Sequence, residues 1–125
     1  MNRYELQQWT KKFNVDIIRF CSDFPRTPAG FEIAKRLIRA AGSVGANYRA
    51  TVRAKSRKDF IYKIQIVLEE ADESLYWLEI VKQAGIRDGE MLELLLNEAN
   101  QLTAIFAATD KSAKSSIKNR QIRHE

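Results

Sequence analysis

Apolar residues recur every three or four positions along most of the chain, the spacing typical of amphipathic helices. In the first segment the apolar positions are Leu6, Trp9, Phe13, Ile17, Phe20 and Phe24. A comparable stripe runs from Ala34 to Val52 in the second segment, and another lies in the fourth segment. The third segment has a heptad-like spacing of Ile61, Ile64, Leu68, Ala71, Leu75 and Leu78. The pattern predicts four helices, over residues 4–24, 28–54, 57–84 and 89–109, and no strand.

Residues that favour helix ends stand between these stripes. Thr27-Pro28 suits an N-cap followed by proline at the first helical position. Ser56-Arg57-Lys58-Asp59 resembles a capping box in which Asp replaces the usual Glu. Gly85 suits the left-handed residue that follows a helix, and Asp88 suits the N-cap of the fourth helix. These signals predict short connections.

The second segment contains the run AAGSVGA over residues 40–46. Each glycine there costs about 1 kcal/mol of helix propensity relative to alanine. We expect the compensation to be a close approach of a neighbouring helix at Gly42 and Gly45. The alternative is a break in the second helix at this point.

The chain has 125 residues, which suits one domain that buries roughly two-thirds of its unfolded surface. Four long helices joined by short turns predict an all-α, antiparallel up-down-up-down bundle over residues 1–110. Residues 111–125, rich in Lys and Ser, predict a basic, disordered tail. The start of the chain has no apolar stretch and no long apolar run follows, so we expect no signal peptide and no membrane segment.

The formal net charge of +5 is unevenly distributed. Residues 35–63 hold nine basic groups and one acidic group, whereas residues 69–98 hold nine acidic groups and two basic ones. Residues 111–125 add five basic groups and one acidic group. Up-down topology gathers the connection between helices two and three and the tail at one end. The candidate nucleic-acid-binding residues there are Arg49, Arg53, Lys55, Arg57, Lys58, Lys111, Lys114, Lys118, Arg120 and Arg123.

Two interpretations of the charge blocks remain open. Blocks this uneven suit an interaction surface. Alternatively, the basic residues of the second helix pair with the acidic residues of the third inside one molecule. Arg39 and Arg53 are candidates for pairing with the cluster at residues 69–73 or with a neighbouring subunit.

The sequence offers little to a catalyst. Its only histidine is His124, and the phosphate-binding, zinc and nucleophile motifs are missing. The carboxylates at residues 69–73 fit a solvated acidic helix face better than a binding site for a hard cation. Cys21, flanked by Phe20 and Phe24, suits the core better than a nucleophile. We therefore expect no enzymatic activity, no cofactor and no bound metal. A lone cysteine fits a protein of the reducing cytoplasm.

Two stretches carry a family resemblance, RAAGSVGANYRA at residues 39–50 and RAKSRKDF at 53–60. A third, IVLEEADESLYWLE, spans residues 66–79. They resemble the bacterial four-helix-bundle family formerly called S23 ribosomal protein, encoded in intervening sequences of 23S rRNA genes. The family-motif positions are Arg39, Ser43, Asn47, Ser56, Asp59 and Phe60. Many relatives read Asn-Ile-Ala-Glu-Gly where this chain has Asn47-Tyr-Arg-Ala-Thr51, so a role for that glutamate does not transfer.

The resemblance implies an antiparallel four-helix bundle assembled as a ring-shaped homopentamer. It also implies a fold similar to the accessory variability protein of diversity-generating retroelements, which binds nucleic acid and a reverse transcriptase through a basic surface. The family's own function is unassigned. From the residues alone, a polar pair at Ser43 and Asn47 predicts a buried register-fixing contact between helices.

Two functional hypotheses follow. The first is a homo-oligomer that binds RNA or DNA with low sequence specificity through the basic end and the tail. The second is a scaffold that binds a protein and no nucleic acid, favoured by the broad apolar circumference of the fourth helix and the adjacent Tyr76 and Trp77.

Overall fold

The computed structural model describes the backbone of residues 1–124 and the side chains of residues 1–118. It contains helices α1 (Arg3–Cys21), α2 (Pro28–Ala50), α3 (Arg57–Gln83) and α4 (Glu90–His124). A single 3-10 turn, Thr51–Arg53, separates α2 from α3, and no strand occurs within residues 1–124. The all-α prediction with four helices is confirmed.

Three of the predicted helix ends form as the sequence signals indicate. The Thr27 hydroxyl accepts a hydrogen bond from the Gly30 amide at 3.1 Å. The Ser56 hydroxyl accepts one from the Asp59 amide at 3.0 Å, which fixes the start of α3. Gly85 has a φ of 65°, the left-handed conformation that ends a helix.

The predicted ends of the first two helices are wrong by a few residues. Helix α1 ends at Cys21, three residues before Phe24. Helix α2 ends at Ala50, because the chain tightens into the 3-10 turn, where the Thr51 hydroxyl donates to the Tyr48 carbonyl at 2.6 Å. Val52, assigned to the apolar stripe, is therefore 58% exposed.

The start of α4 also differs from the prediction. The helix begins at Glu90, and Gly89, with a φ of 107°, stands immediately before it. The Gly89 carbonyl accepts from the Glu93 amide. Among the described residues, no hydrogen bond joins Asp88 to a helix amide, so the predicted Asp88 cap is wrong.

The prediction of a disordered tail is also wrong, because α4 continues through residues 111–124. Residues 110–124 contain neither glycine nor proline, so nothing in the sequence ends the helix. Ala113 is only 6% exposed, and Lys114 pairs with Asp110 at 2.9 Å across one turn. Helix α4 spans about 52 Å and α3 about 40 Å at 1.5 Å per residue, so α4 is the longer by about two turns.

Each helix packs against the next along the chain, whereas α1 touches α4 sparsely. The core is built from apolar side chains of all four helices. In α3 the deepest positions are Ile64, Val67, Ala71, Ser74, Leu78 and Val81. This stripe is rotated from the predicted one, whose Ile61, Leu68 and Leu75 are half-buried. None of the described helices combines the length and the apolar character needed to cross a membrane.

Helix α2 runs unbroken through its glycine-rich segment, so the alternative of a helix break is wrong. Helix α1 lies directly against this segment. A Cβ atom built on Gly42 would lie 3.6 Å from the Asn14 side-chain oxygen, and one on Gly45 would lie 3.5 Å from the Thr10 carbonyl oxygen. The predicted helix approach is confirmed, at a separation that leaves room for a methyl group.

Contacts between distant residues define the two ends of the molecule. At one end, Arg3 Nη2 donates to the Thr51 hydroxyl at 2.6 Å, and the Tyr48 ring lies 5.3 Å from that of Phe106. At the other end, Arg87 Nη1 donates to the Phe20 carbonyl at 2.6 Å. The start of α1, the α2–α3 connection and the later part of α4 therefore lie together.

Candidate nucleic-acid interface

Five cations surround the connection between α2 and α3. They come from the last turn of α2, the 3-10 turn, the link that follows it and the first turn of α3. All five are exposed. This set, called the basic cluster below, is Arg49, Arg53, Lys55, Arg57 and Lys58.

Ion pairs remove positive charge at several cations elsewhere but not in the basic cluster. Seven cations outside it pair with carboxylates, as in Arg36–Glu32 at 2.8 Å and Lys82–Glu93 at 2.7 Å. Among the side chains of residues 1–118, no member of the basic cluster pairs with a carboxylate. The interpretation of complete internal pairing therefore fails at this end.

The basic cluster also includes the N-terminus of α3. Ser56 caps the Asp59 amide, which leaves the amides of Arg57 and Lys58 without a partner inside the helix. The helix dipole places partial positive charge at this point and disfavours cationic side chains there. Two cations in the first turn make this a site where an anion would be stabilised.

Asp59 places a negative charge beside the basic cluster. Its Oδ2 accepts from the Lys55 amide at 2.9 Å, one residue before the cap, and from Lys63 Nζ at 3.0 Å. These hydrogen bonds, the Lys55 amide foremost, hold the pKa of Asp59 below its ordinary value. The carboxylate therefore stays ionised at neutral pH, and its oxygens already accept hydrogen bonds from the Lys55 amide and Lys63.

The candidate residues of α4 divide into described and undescribed ones. Lys111, Lys114 and Lys118 are exposed, and Lys114 pairs with Asp110. The side chains of Arg120 and Arg123 lie outside the described residues. Arg57 lines a groove together with Ser112 and Ser116, so this part of α4 runs beside the start of α3. The structure thus brings residues 111–118 next to the basic cluster.

Two grooves meet at this end of the molecule, and both are lined by Phe60 and Thr109. The first has a volume of about 350 Å³ and is also lined by Arg3 and Tyr48. The second has a volume of about 520 Å³ and extends to Arg57. Sequence reasoning missed Arg3 and Tyr48, although the predicted position of the chain start was a signal for Arg3.

Arg39 belongs to the fold rather than to the basic cluster. Its guanidinium donates to Glu73 at 2.7 Å and lies 3.1 Å from Glu70 Oε2. The hydrogen bond to Glu73 raises the pKa of Arg39, whereas burial raises the pKa of Glu70. The predicted pairing of Arg39 with the acidic helix is confirmed, and that of Arg53 is wrong for the described side chains.

The polar pair on α2 bonds within its own helix. Asn47 Nδ2 donates to the Ser43 carbonyl at 2.9 Å and to the Ser43 hydroxyl at 2.8 Å. Both residues are half-buried. The predicted register contact between helices is therefore wrong, because the amide is satisfied one turn earlier in the same helix.

The groups considered for other chemistry lie away from this end. Cys21 is buried, and burial raises the pKa of its thiol to about 12, so the thiolate is scarce at neutral pH. Among the described side chains, no group of three His, Cys, Asp or Glu residues is arranged to hold a metal ion.

Comparisons with known proteins agree with the motifs at residues 39–60. The chain is similar to a crystallised protein of unknown function from the S23 ribosomal protein family of Bacteroides thetaiotaomicron. The two share 29% identity with a TM-score of 0.79, covering 89% of this chain and 99% of the other. Among curated proteins none matches. Residues 2–108 match the 23S rRNA-intervening sequence protein family, and the chain belongs to that family.

Proposed function

We propose that the protein binds nucleic acid through the basic cluster and the adjoining turns of α4. The observation that carries the proposal is a group of five exposed cations at the connection between α2 and α3. None of them has a carboxylate partner among the described side chains. Clustered Lys and Arg attract phosphates and release condensed counterions, and this supplies most of non-specific affinity. The protein has no catalytic role in this proposal.

Low sequence specificity is part of the proposal. Long, flexible cations contact phosphates and sugars, which fix orientation but carry no sequence information. The basic cluster lies on a turn and two helix ends, not along an exposed helix face that would enter a major groove. RNA and DNA therefore differ little as ligands at the cluster itself.

A salt titration tests the proposal. Fluorescence anisotropy with labelled 20-nucleotide RNA, DNA and duplex probes should show binding at 50 mM salt that weakens by 200 mM. If each cation of the basic cluster neutralises one phosphate, the log–log slope for a single strand is about −3.5. An affinity that does not change with salt, or no binding at 50 mM, would contradict the proposal.

We also propose an antiparallel up-down topology and assembly into a ring-shaped homopentamer. The contacts that gather the chain start, the α2–α3 connection and the later part of α4 at one end support the topology. Exposed apolar side chains on α1 and α4, the pair that packs sparsely, support self-association. These are Val15, Ile18, Met91 and Leu94.

Light scattering tests the assembly. The expected mass is about five times the 14.4 kDa of one chain. A mass of 14.4 kDa at micromolar concentration would contradict it. Replacing Ile18 and Leu94 by Ser should shift the mass downward, whereas the same change at Tyr62, an exposed aromatic on α3, serves as the control.

A second candidate function is a protein-binding scaffold without a nucleic-acid role. Tyr76 is 52% exposed, and its ring lies 5.0 Å from that of the half-buried Trp77. Exposed aromatic side chains are typical anchors of protein interfaces. A partner of fixed stoichiometry that survives nuclease treatment, and charge reversal in the basic cluster, would favour this function over the first.

A further inference from the structure

We infer that the two grooves around Phe60 form one trough for a single nucleic-acid strand, in which an unpaired base stacks on the Phe60 ring. The inference rests on the proposed function and adds the strand class and the base-contacting residue. Its starting point is that Phe60 and Thr109 line both grooves, so the grooves adjoin across these two side chains.

Phe60 combines a supported ring with an accessible surface. It is half-buried and packs against the apolar core, so the ring does not move freely. It also follows directly after Lys58 and Asp59 in the first turns of α3, next to the basic cluster. An aromatic ring held at the base of a positively charged groove is the usual platform for a base of a single strand.

Cations lie on both sides of this ring. In the first groove, Arg3 donates one guanidinium hydrogen bond to Thr51, which fixes the position of its side chain. The other N–H groups of the guanidinium remain able to donate to a phosphate. In the second groove, Arg57 lies with the hydroxyls of Ser112 and Ser116. Guanidinium and hydroxyl groups are the common partners of phosphate oxygens. Phosphates on either side of a stacked base would therefore meet donors.

The recess distinguishes a single strand from a duplex. Bases in a duplex are stacked on each other and their faces are covered, so only an unpaired base can reach a ring inside a groove. A surface that binds only the phosphates of a duplex requires cations but does not require an aromatic ring in a groove.

Further aromatic residues lie at the same end. Tyr4 in the first turn of α1 is 69% exposed, and Tyr62 in the second turn of α3 is 62% exposed. Tyr4 directly follows Arg3, and Tyr62 lies one helical turn after Lys58. Aromatic side chains interleaved with cations extend the stacking surface beyond the trough.

The test compares strand classes on the full chain. The probes are fluorescein-labelled (dT)20 and a 20-base-pair duplex of mixed sequence, measured by anisotropy at 50 mM salt. The trough predicts at least about tenfold tighter binding of (dT)20, the effect of roughly one base–aromatic stack. Equal affinity for the two probes would overturn the inference.

Phe60→Leu removes the ring but keeps an apolar side chain for the core. It should weaken (dT)20 binding by about tenfold and leave duplex binding unchanged. Phe31→Leu, the same substitution at an exposed position in the first turn of α2, is the matched control and should change neither. A folded Phe60→Leu variant with full affinity for (dT)20 would overturn the trough.

A measurement on the wild-type chain covers the case of an unfolded variant. Ultraviolet irradiation of the complex with (dT)20, followed by mass spectrometry, should locate a cross-link at Phe60. Cross-links confined to other residues overturn the trough while salt-dependent binding still supports the proposed function. Absence of binding to both probes at 50 mM salt overturns both.

Discussion

The Arg39 guanidinium donates a 2.7 Å hydrogen bond to Glu73 and thereby joins α2 to α3. The same guanidinium lies 3.1 Å from Glu70, whose side chain is 16% exposed. The acidic block of α3 is thus matched to the middle of α2. The basic cluster at the end of α2 has no such carboxylate partner among the described side chains.

The two carboxylates on Arg39 should respond differently to neutralisation. Glu73→Gln removes a partly exposed pair and should lower stability by about 0.2–1 kcal/mol. Burial raises the pKa of Glu70, which means that its charged form is disfavoured by folding, and the wild type should gain stability as the pH falls through that pKa. Glu70→Gln should therefore raise the melting temperature at pH 7 or leave it unchanged, as thermal unfolding followed by circular dichroism can measure. A larger loss for Glu70→Gln than for Glu73→Gln would contradict this account.

Charge reversal should separate the basic cluster from general positive charge. The double variant Arg53→Glu/Lys58→Glu should weaken nucleic-acid binding and reduce the salt slope by about 1.4, because two phosphate contacts are lost. Arg26→Glu/Lys35→Glu changes the net charge equally, at exposed positions near the opposite end. This control should retain most of the salt slope in the same anisotropy titration. Equal losses for the two variants would show that only net charge matters.

Asp59 should make the start of α3 sensitive to acid. Its pKa is lowered by the Lys55 amide and by Lys63, so the folded state favours the carboxylate. The stability that it contributes is present above its unfolded pKa of about 3.8 and is lost as the pH falls through the lower folded value. Asp59→Asn should be less stable than wild type at pH 7, and the difference should shrink near pH 3. Urea unfolding at the two pH values measures this, and a constant difference would contradict it.

The sequence predicts helices best where a local signal decides. The start of α3 at Arg57 follows from the Ser56–Asp59 cap, and its end follows from Gly85, since each is a short-range interaction. The end of α2 was mispredicted because Thr51 bonds the Tyr48 carbonyl and Arg3, and the second contact comes from a distant residue. The sequence mispredicts the end of α4 because the polar composition of residues 111–125 is typical of disorder, although Ala113 still packs.

The candidate site was predictable only in part. Exposure and clustering of Arg49 through Lys58 follow from charge and connectivity, which the sequence contains. The grooves were not predictable, because the first is bounded by side chains of all four helices and the second by side chains of α3 and α4, and sequence periodicity does not fix how these helices are rotated against one another. Phe60 shows the difference, since its position in the motif was recognised but its place between two grooves depends on α4 lying alongside.

Glycines in α2 should respond to alanine in opposite directions. A Cβ at Gly42 or Gly45 would meet α1 only at ordinary van der Waals distance, so Gly42→Ala and Gly45→Ala should fill space and remove backbone freedom from the unfolded chain. Each should stabilise the protein by about 0.4–1 kcal/mol. A Cβ at Gly30 would collide with the Pro25 carbonyl oxygen, which belongs to rigid backbone, so Gly30→Ala should destabilise it by more than that. Urea unfolding of the three variants measures the contrast. Destabilisation by Gly42→Ala would mean that α1 lies closer to α2 than the 3.6 Å between the added Cβ and the Asn14 side-chain oxygen indicates. The glycines would then be required for the packing of the two helices rather than merely tolerated.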